Sequence, residues 1–473
     1  MSLEGNKVEK KQTPILAAVA VPHPPMILPE IGKGEEQKIA KSTDAYRKVM
    51  RRIADLRPDT IIVITPHSIM YQDYIHISPG SSANGDMGAF GAHKVKFHVD
   101  YDEQFVNELS QIAYQEKLPA GTLGEKKKML DHGTMVPLYF LNEVYSEYKI
   151  VRIGLSGLSA IDHYHFGECI ARTVERLGRC AVLIASGDLS HKLKEDGPYG
   201  FASEGLEFDR QITDAFAAGD FLTILRLSPE LAEAAAECGL RSFQIMAGAL
   251  DGRAITHELL SYEGTFGVGY AVALFEVTGE DANRNYREQH ALIEQKQLAK
   301  IKGHEDDYVR LARISLETYI RTGEYVSLPD SLSEELLNVR AGVFVSLKKH
   351  GQLRGCIGTI SPMTGSVAEE IIRNAVSAAI DDSRFDPVIE QELPELVYSV
   401  DVLGEPEAID SPEMLDVQRY GVIVQSGGRR GLLLPNLPGV NTVEEQIVIS
   451  KQKAGISAKE PVKLFRFEVV RHQ

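Results

Sequence analysis

Four histidines stand where a protein could carry out metal or acid–base chemistry. Three of them come a few residues after a short apolar run, where a buried strand would end: His23, His67 and His191. In α/β proteins, ligands bind at the carboxyl ends of parallel strands. The fourth, His132, precedes the apolar segment Val136–Leu141, so we expect it near a helix N-terminus, as a general base or as part of a capping loop.

His23 and His67 are the candidate metal ligands. Prolines flank His23 on both sides, and Pro66 precedes His67. Proline fixes φ and stiffens the backbone that holds each imidazole. Two rigid imidazoles and one carboxylate form the facial triad of non-haem Fe(II) proteins, but imidazole also suits zinc, copper and nickel. The residues alone therefore predict a metal site and leave the metal open.

The apolar runs near these histidines are typical of a parallel sheet: Ile15–Val21, Thr60–Thr65, Tyr148–Leu155 and Ala181–Ala185. Amphipathic stretches such as Gln37–Leu56 and Phe166–Leu177 separate them. This alternation predicts βαβ units and a mostly parallel sheet with helices on both faces. We expect Gly267–Val277 to close the sheet as an edge or antiparallel strand. The fold class that follows for residues 13–277 is α/β.

A charged stretch divides the chain. Residues 278–307 are rich in Glu, Gln, Lys, Asn and Asp, which predicts a solvated, partly helical linker. Residues 308–471 mix helices and β-hairpin patterns, which predicts a compact α+β domain. There, Arg354 and Cys356 lie two apart on a predicted strand and would share one face. A neighbouring guanidinium stabilises a thiolate, so Cys356 is a candidate reactive cysteine; the alternative is a small buried thiol.

Composition and charge exclude several classes of protein. The 473 residues include 51 Lys and Arg against 67 Asp and Glu, a formal net charge of −16, which disfavours binding to nucleic acid or to an anionic membrane. The four cysteines contain no Cys-x-x-Cys pair, which argues against a structural zinc knuckle or a disulfide framework and for a reduced cytoplasm. The longest apolar stretch is too short to span a bilayer. No nucleotide-binding glycine motif follows the first strand.

Residues 13–277 resemble the class III (LigB-type) extradiol ring-cleavage dioxygenases and, more closely, their Memo-like relatives. The resemblance rests on four motifs: Pro22-His23-Pro24-Pro25, Pro66-His67-Ser68, Asp131-His132-Gly133 and Ser186-Gly187-Asp188-Leu189-Ser190-His191. It implies that His23 and His67 bind Fe(II), with copper or zinc as the alternative metals. It also implies that His132 and His191 act as acid and base beside a metal-bound, catechol-like aromatic substrate.

The third metal ligand is open between two neighbouring residues. The dioxygenases use a late glutamate, which corresponds to Glu237, whereas the Memo-like branch has a cysteine at about this place, which corresponds to Cys238. Glutamate would give an Fe(II) dioxygenase site, and cysteine would favour a softer or redox-active metal such as copper. The resemblance thus implies either a dioxygenase or a non-oxygenase metal-binding redox protein. A third interpretation is that Ala232–Glu237 is only the last turn of a surface helix and supplies no metal ligand.

Residues 308–471 resemble the AMMECR-type domain through Leu353–Thr359, Asp382-Ser-Arg-Phe-Asp-Pro387 and Glu395–Val402. That family has a two-part α+β fold and no assigned reaction. Memo-like and AMMECR-type domains, together with a radical SAM protein, form the AmmeMemoRadiSam system. The resemblance therefore implies a radical SAM protein as a partner. This chain itself has no Cys-x3-Cys-x2-Cys motif.

Overall fold

The computed structural model describes residues 14–126, 129–329, 331–349, 351–437 and 439–473. The chain forms two compact units, which we call unit 1 (Met1–Ile293) and unit 2 (Glu294–Gln473). The domain start expected at residue 13 lies outside the described residues. No helix in the described part of the chain is long and apolar enough to cross a membrane.

Unit 1 alternates strands and helices along most of its length. Its strands are β1 Ile15–Val21, β2 Thr60–Thr65, β3 Ile75–His76, β4 Ser82–Met87, β5 Ala92–Asp100, β6 Ala120–Gly121, β7 Lys149–Gly154, β8 Ala181–Ser186, β9 Arg253–Glu263 and β10 Tyr270–Glu280. Its helices are α1 Pro29–Gly32, α2 Ala40–Leu56, α3 Glu103–Gln115, α4 His132–Asn142, α5 Ala160–Leu177, α6 Ser203–Ala218, α7 Phe221–Arg226, α8 Pro229–Ala235 and α9 Leu240–Ala249. The helix α10 Tyr286–Gly303 follows and occupies most of the charged stretch.

The main sheet of unit 1 has the strand order β7-β2-β8-β1-β10-β9. The first four of these strands run parallel, and β10 and β9 are antiparallel. The prediction of an α/β fold with a mostly parallel sheet is confirmed. The apolar run near Gly267–Val277 corresponds to the antiparallel strand β10, which lies inside the sheet because β9 forms the edge.

Both faces of this sheet are buried. On β1, Ala18 and Ala20 pack into a core with residues of α5 and α9, whereas Ala17 and Val19 pack into a second core with residues of α2 and α4. Successive side chains on a strand point to opposite faces, so a strand buried on both faces needs apolar residues throughout. This requirement explains the continuous apolar runs in the sequence.

The parallel register brings the ends of three strands together. Val21 of β1 pairs with Ser186 of β8, and Ile64 of β2 pairs with Ala185 of β8. The segments that follow β1, β2 and β8 therefore leave the sheet at the same edge. These segments carry three of the four histidines that the sequence singled out.

Unit 2 is built from two antiparallel sheets, β12-β11-β13-β18 and β14-β17-β15-β16. Its strands are β11 Val343–Lys349, β12 Gln352–Gly358, β13 Leu396–Leu403, β14 Glu407–Ile409, β15 Gly421–Ser426, β16 Arg429–Leu433, β17 Lys463–Phe467 and β18 Val469–His472. Its helices are α11 Asp307–Thr322, α12 Glu334–Asn338, α13 Val367–Ile380 and α14 Val443–Lys453. Helices α11 and α13 share a core with the first sheet, and α14 packs on the second. The predicted α+β class is confirmed.

Candidate metal centre

The loops after β1 and β2 place two imidazoles side by side. His23 is buried, with 2% of its surface exposed, and its backbone N–H donates to Asp188 Oδ1 at 2.8 Å. His67 is partly open to solvent, although the protein around its ring removes part of its hydration, and its backbone N–H donates to the Thr65 hydroxyl at 3.2 Å. Their Nε2 atoms lie 2.9 Å apart. Two different strand ends thus present two ring nitrogens to one point in space.

Cys238 completes this group. Its Sγ lies 3.6 Å from His23 Nε2, and the ligand atoms of His23, His67 and Cys238 all lie within 4.8 Å of one another. A tetrahedral metal bound by imidazole nitrogen at about 2.0 Å and thiolate sulfur at about 2.3 Å needs donors at about these separations. The three side chains therefore match the donor set of a transition-metal site.

Glu237 lies outside this group. Its carboxylate accepts a hydrogen bond from the Leu240 N–H at 2.6 Å, so it caps the beginning of α9. Burial raises the pKa of Glu237 to about 7. Helix α8 ends at Ala235, and Ala236 adopts the left-handed conformation, so Glu237 belongs to the loop between α8 and α9 rather than to a helix. Of the two candidates for the third ligand, the structure brings Cys238 to the histidines.

A close backbone contact positions Cys238. Gly187 and Gly239 lie so near each other that a Cβ on Gly187 would overlap the Gly239 Cα. Beside this contact, the Asp188 N–H donates to Cys238 Sγ at 3.3 Å, and the Cys238 N–H donates to the Asp188 carbonyl at 3.4 Å. The loop after β8 and the loop before α9 can approach this closely because both positions are glycine, since a side chain at either one would overlap neighbouring atoms.

Ser186 sets the tautomer of His23. The Ser186 hydroxyl donates its hydrogen to the Gly133 carbonyl at 2.6 Å and lies 2.9 Å from His23 Nδ1. With its hydrogen used in this way, the hydroxyl oxygen accepts from Nδ1–H, and the lone pair of His23 is left on Nε2. That lone pair faces His67 Nε2 and Cys238 Sγ, which is the arrangement that a metal cation satisfies.

His132 and His191 surround the two candidate ligands. His132 is the first residue of α4, and its ring centre lies 3.9 Å from that of His67 and 5.4 Å from that of His23. His191 belongs to a second group of potential ligands, in which it joins Asp188 and Cys238. The structure thus brings all four sequence-selected histidines into one cluster.

The imidazoles of this cluster are held neutral. Burial lowers the pKa of each of the four histidines, and for His132, whose pKa falls to about 3, the neighbouring His67 and His23 add to the effect. Burial raises the pKa of the Cys238 thiol well above its usual range, and the nearby Asp188 adds to this increase. Neutral imidazoles bind metals directly, whereas the thiol releases its proton when a cation arrives.

A buried ion pair fixes the start of α4. Asp131 is the N-cap of this helix and accepts from the Thr134 N–H at 3.0 Å and the Thr65 hydroxyl at 2.7 Å. Its other carboxylate oxygen lies 3.5 Å from the guanidinium of Arg152, which is 1% exposed. Sequence reasoning assigned no role to Asp131, Ser186 or Asp188, although all three stand inside the quoted motifs. Arg152 lies outside every motif, so no sequence signal pointed to it.

Ser186→Ala should weaken metal binding by about 10- to 100-fold, because His23 loses the partner that fixes its tautomer and orientation. The measurement is a competition titration of the metal against a chelator of known affinity. Ser156→Ala is the matched control, since the Ser156 hydroxyl lies 3.2 Å from the ring of His163, a buried histidine outside the cluster. Equal affinities in the two variants would contradict the role given to Ser186.

Cys356 belongs to unit 2, and its predicted partner is engaged elsewhere. The Arg354 guanidinium binds the Glu392 carboxylate at 2.9 and 2.8 Å and the Asp386 carbonyl at 2.9 Å. The pairing of β11 with β12 shifts by one residue beside Arg354, so the simple alternation of side chains breaks there. The expectation that Arg354 lies beside the thiol is therefore not met.

Comparison with known proteins identifies the class. The family model for the catalytic LigB subunit of aromatic ring-opening dioxygenase matches residues 17–273, and the AMMECR1 model matches residues 309–472. The chain therefore belongs to the LigB family and joins this domain to an AMMECR1 domain. Protein CA_C1420 of Clostridium acetobutylicum is similar to the chain across both domains, with 44% identity over 461 residues, 96% of this chain and 98% of that protein.

Two solved structures each resemble part of the chain. Protein PH0010 of Pyrococcus horikoshii is 36% identical, with a TM-score of 0.33, and the match covers 35% of this chain and 88% of that one. Protein JW3007 of Escherichia coli is 14% identical, with a TM-score of 0.39, and the match covers 55% of this chain and 99% of that one.

Proposed function

We propose that unit 1 binds a soft or redox-active transition metal, copper or zinc in preference to Fe(II), through His23, His67 and Cys238. The observation that carries this proposal is the third donor, a cysteine sulfur in place of the carboxylate of Glu237. Thiolate with imidazole suits copper and zinc, whereas two imidazoles with one carboxylate suit Fe(II) oxygenases. On this proposal the chain is a metal-binding protein of the Memo type, with a redox role if the metal is copper.

The surrounding residues prepare the site for a cation. Ser186 holds the His23 lone pair on Nε2, and burial keeps the pKa values of His23 and His67 low enough for both rings to be neutral at pH 7. A bound metal would supply Lewis acidity and, for copper, one-electron chemistry. His132 and His191 would hold neutral rings beside that metal, and because its pKa falls to about 3, His132 is a weak proton acceptor, which leaves His191 as the candidate base.

A catechol dioxygenase is the second candidate function, and the rim of the cluster favours it. Phe90 is 39% exposed and lies edge-on to His132 at 5.3 Å, and Tyr199 is 61% exposed and stacks on His191 at 5.1 Å. A planar aromatic substrate would find apolar rings beside both candidate acid–base residues. Oxygen uptake by iron-loaded protein with a panel of catechols tests this function directly.

Elemental analysis of anaerobically purified full-length protein tests the main proposal. We expect about one equivalent of copper or zinc in the wild type and a loss of that metal in His23→Ala/His67→Ala. The exposed pair His98→Ala/His257→Ala is the matched control and should keep the metal. Iron with catechol-dependent oxygen uptake would favour the second candidate, and absence of metal from both proteins would overturn both candidates.

The fusion also suggests how the chain acts. We propose a radical SAM protein as its partner, because the AMMECR1 domain accompanies the LigB domain along the chain. Affinity purification of the tagged full-length chain under anaerobic conditions should recover an iron–sulfur protein with it. Recovery of the chain without any iron–sulfur protein would count against this partner.

A further inference from the structure

We propose that the metal centre of unit 1 holds a second cation, a zinc ion bound by Asp188, His191 and Cys238, so that the Cys238 sulfur bridges two metals. This inference rests on the function proposed above, because it takes the site of His23, His67 and Cys238 as the first of the two. The second site lies beside the first and has a donor set of its own.

The donors around Cys238 fall into two groups. The ligand atoms of Asp188, His191 and Cys238 all lie within 4.8 Å of one another, as do those of the first site, but the donors of the two sites together do not form one group of this size. Two donors on one ion can be no further apart than the sum of their bonds, about 4.0 to 4.6 Å for bonds of about 2.0 to 2.3 Å. One ion therefore cannot bind all of these donors where they lie, and Cys238 is the residue that the two groups share.

Hydrogen bonds between loops hold the second group in place. Those between Asp188 and Cys238, at 3.3 and 3.4 Å, join the loop after β8 to the loop before α9. The His191 N–H donates to the Ala235 carbonyl at 3.1 Å, which ties the same loop to the end of α8. Tyr199 stacks on the His191 ring at 5.1 Å. The fold thus positions the donors before a metal arrives, which favours binding.

Charge also favours a cation between Asp188 and Cys238. Asp188 is only 7% exposed, and its Oδ1 accepts from a neutral donor, the His23 N–H, at 2.8 Å. A buried carboxylate beside neutral donors gains stability from a cation. Once the first metal binds, Cys238 becomes a thiolate, which is a second anion next to this carboxylate. A cation between the two would be attracted by both.

The donor types indicate which cation the second site takes. Carboxylate oxygen, imidazole nitrogen and thiolate sulfur are all ordinary zinc ligands, whereas carboxylate does not suit Cu(I). The second ion binds after the first, because the first one generates the thiolate and then repels a further positive charge. The purified protein would thus hold about one equivalent of metal and take up another when Zn²⁺ is added. With the second ion bound, His191 is a ligand, so its role as a base belongs to the protein with one metal.

Titration of the metal-free full-length protein with Zn²⁺, against a chelator of known affinity, counts the bound ions. We expect about two equivalents in the wild type, the second bound at least about tenfold more weakly than the first. X-ray absorption of the fully loaded protein should show a metal–metal distance of about 3.5 to 4 Å, which is typical of two-metal sites. His191→Ala should bind about one equivalent and lose the metal–metal distance.

Asp188→Asn tests the same site without removing the hydrogen bond to His23, because asparagine keeps an oxygen that can accept from the His23 N–H. It should weaken the second equivalent by about a hundredfold or more. His98→Ala, at an exposed histidine, is the matched control and should keep both equivalents. Retention of the first equivalent shows that the variants are folded.

A single equivalent in the wild type without a metal–metal distance, or a second equivalent that persists in His191→Ala, would overturn the proposal. A single equivalent that His191→Ala and His67→Ala weaken alike would mean one ion with a rearranged ligand set, which also overturns it but leaves metal binding by unit 1 intact. Absence of any bound Zn²⁺ from the wild type would instead overturn the metal centre itself, and with it both sites.

Discussion

Cys238→Ser should lower the metal affinity of unit 1 by at least about a hundredfold, whereas Glu237→Gln should leave it within about twofold. The replacement of the Cys238 sulfur by oxygen is the change of a single atom from which we expect the largest functional effect. The reason lies in where the two neighbours point. Cys238 Sγ lies 3.6 Å from His23 Nε2, while the Glu237 carboxylate accepts from the Leu240 N–H. A serine hydroxyl keeps its proton at neutral pH and is a poor ligand for a soft metal.

Glu237→Gln is a close control for this change. Glutamine keeps an oxygen that can accept from the Leu240 N–H, so the beginning of α9 is preserved. Titration of each variant with Co²⁺, followed by the d–d absorption of the bound ion, gives the metal affinity, and the sulfur-to-metal charge-transfer band reports separately whether a thiolate is a ligand. If Glu237→Gln lost the metal and Cys238→Ser kept it, the carboxylate would be the ligand and the dioxygenase assignment would be restored.

The strands that carry the site were predictable because burial on both faces leaves a local signal. The apolar run Thr60–Thr65 coincides with β2, and Ala181–Ala185 falls one residue short of β8. Helix α5 was predicted less well, since it begins at Ala160 rather than Phe166. Its first turn is polar and is defined by the capping box of Ser159 and Asp162, which hydrophobic periodicity does not detect.

The choice between Glu237 and Cys238 could not be made from the sequence. The two residues are adjacent in one loop that begins at the left-handed Ala236, and the hydrophobic pattern does not show which side chain faces the histidines. The same holds for Cys356, whose backbone N–H and carbonyl are bound by Asp382 and Arg384, 26 and 28 residues further along the chain. Contacts of this kind depend on how sheets and loops pack, and they leave no periodic pattern in the sequence.

Gly187→Ala destabilises unit 1 by about 3 kcal/mol and abolishes metal binding, which is the largest structural effect that we expect. The new Cβ would overlap the Gly239 Cα and lie 3.1 Å from its amide nitrogen. Backbone atoms cannot rotate away as side chains do, so the loops that carry Asp188 and Cys238 must separate. The 3.3 Å hydrogen bond from the Asp188 N–H to Cys238 Sγ would then be lost, and with it the position of the sulfur.

Calorimetry of the metal-free protein gives the change in stability, and a metal titration gives the change in binding. A loss of about 3 kcal/mol corresponds to a Tm lower by roughly 6 to 12 °C for a unit of this size. Gly279→Ala is the matched control in β10, because a Cβ there meets no atom within 4 Å, and its Tm should stay within about 2 °C. Gly239→Ala approaches the same contact from the other side and should also lose the metal, because its Cβ would overlap the Phe243 ring at 2.5 Å and lie 3.0 Å from the Asp188 carbonyl oxygen. If both glycine variants kept wild-type metal affinity, Cys238 would be positioned by something other than this backbone contact, and the thiol could move to the histidines independently of the loop after β8.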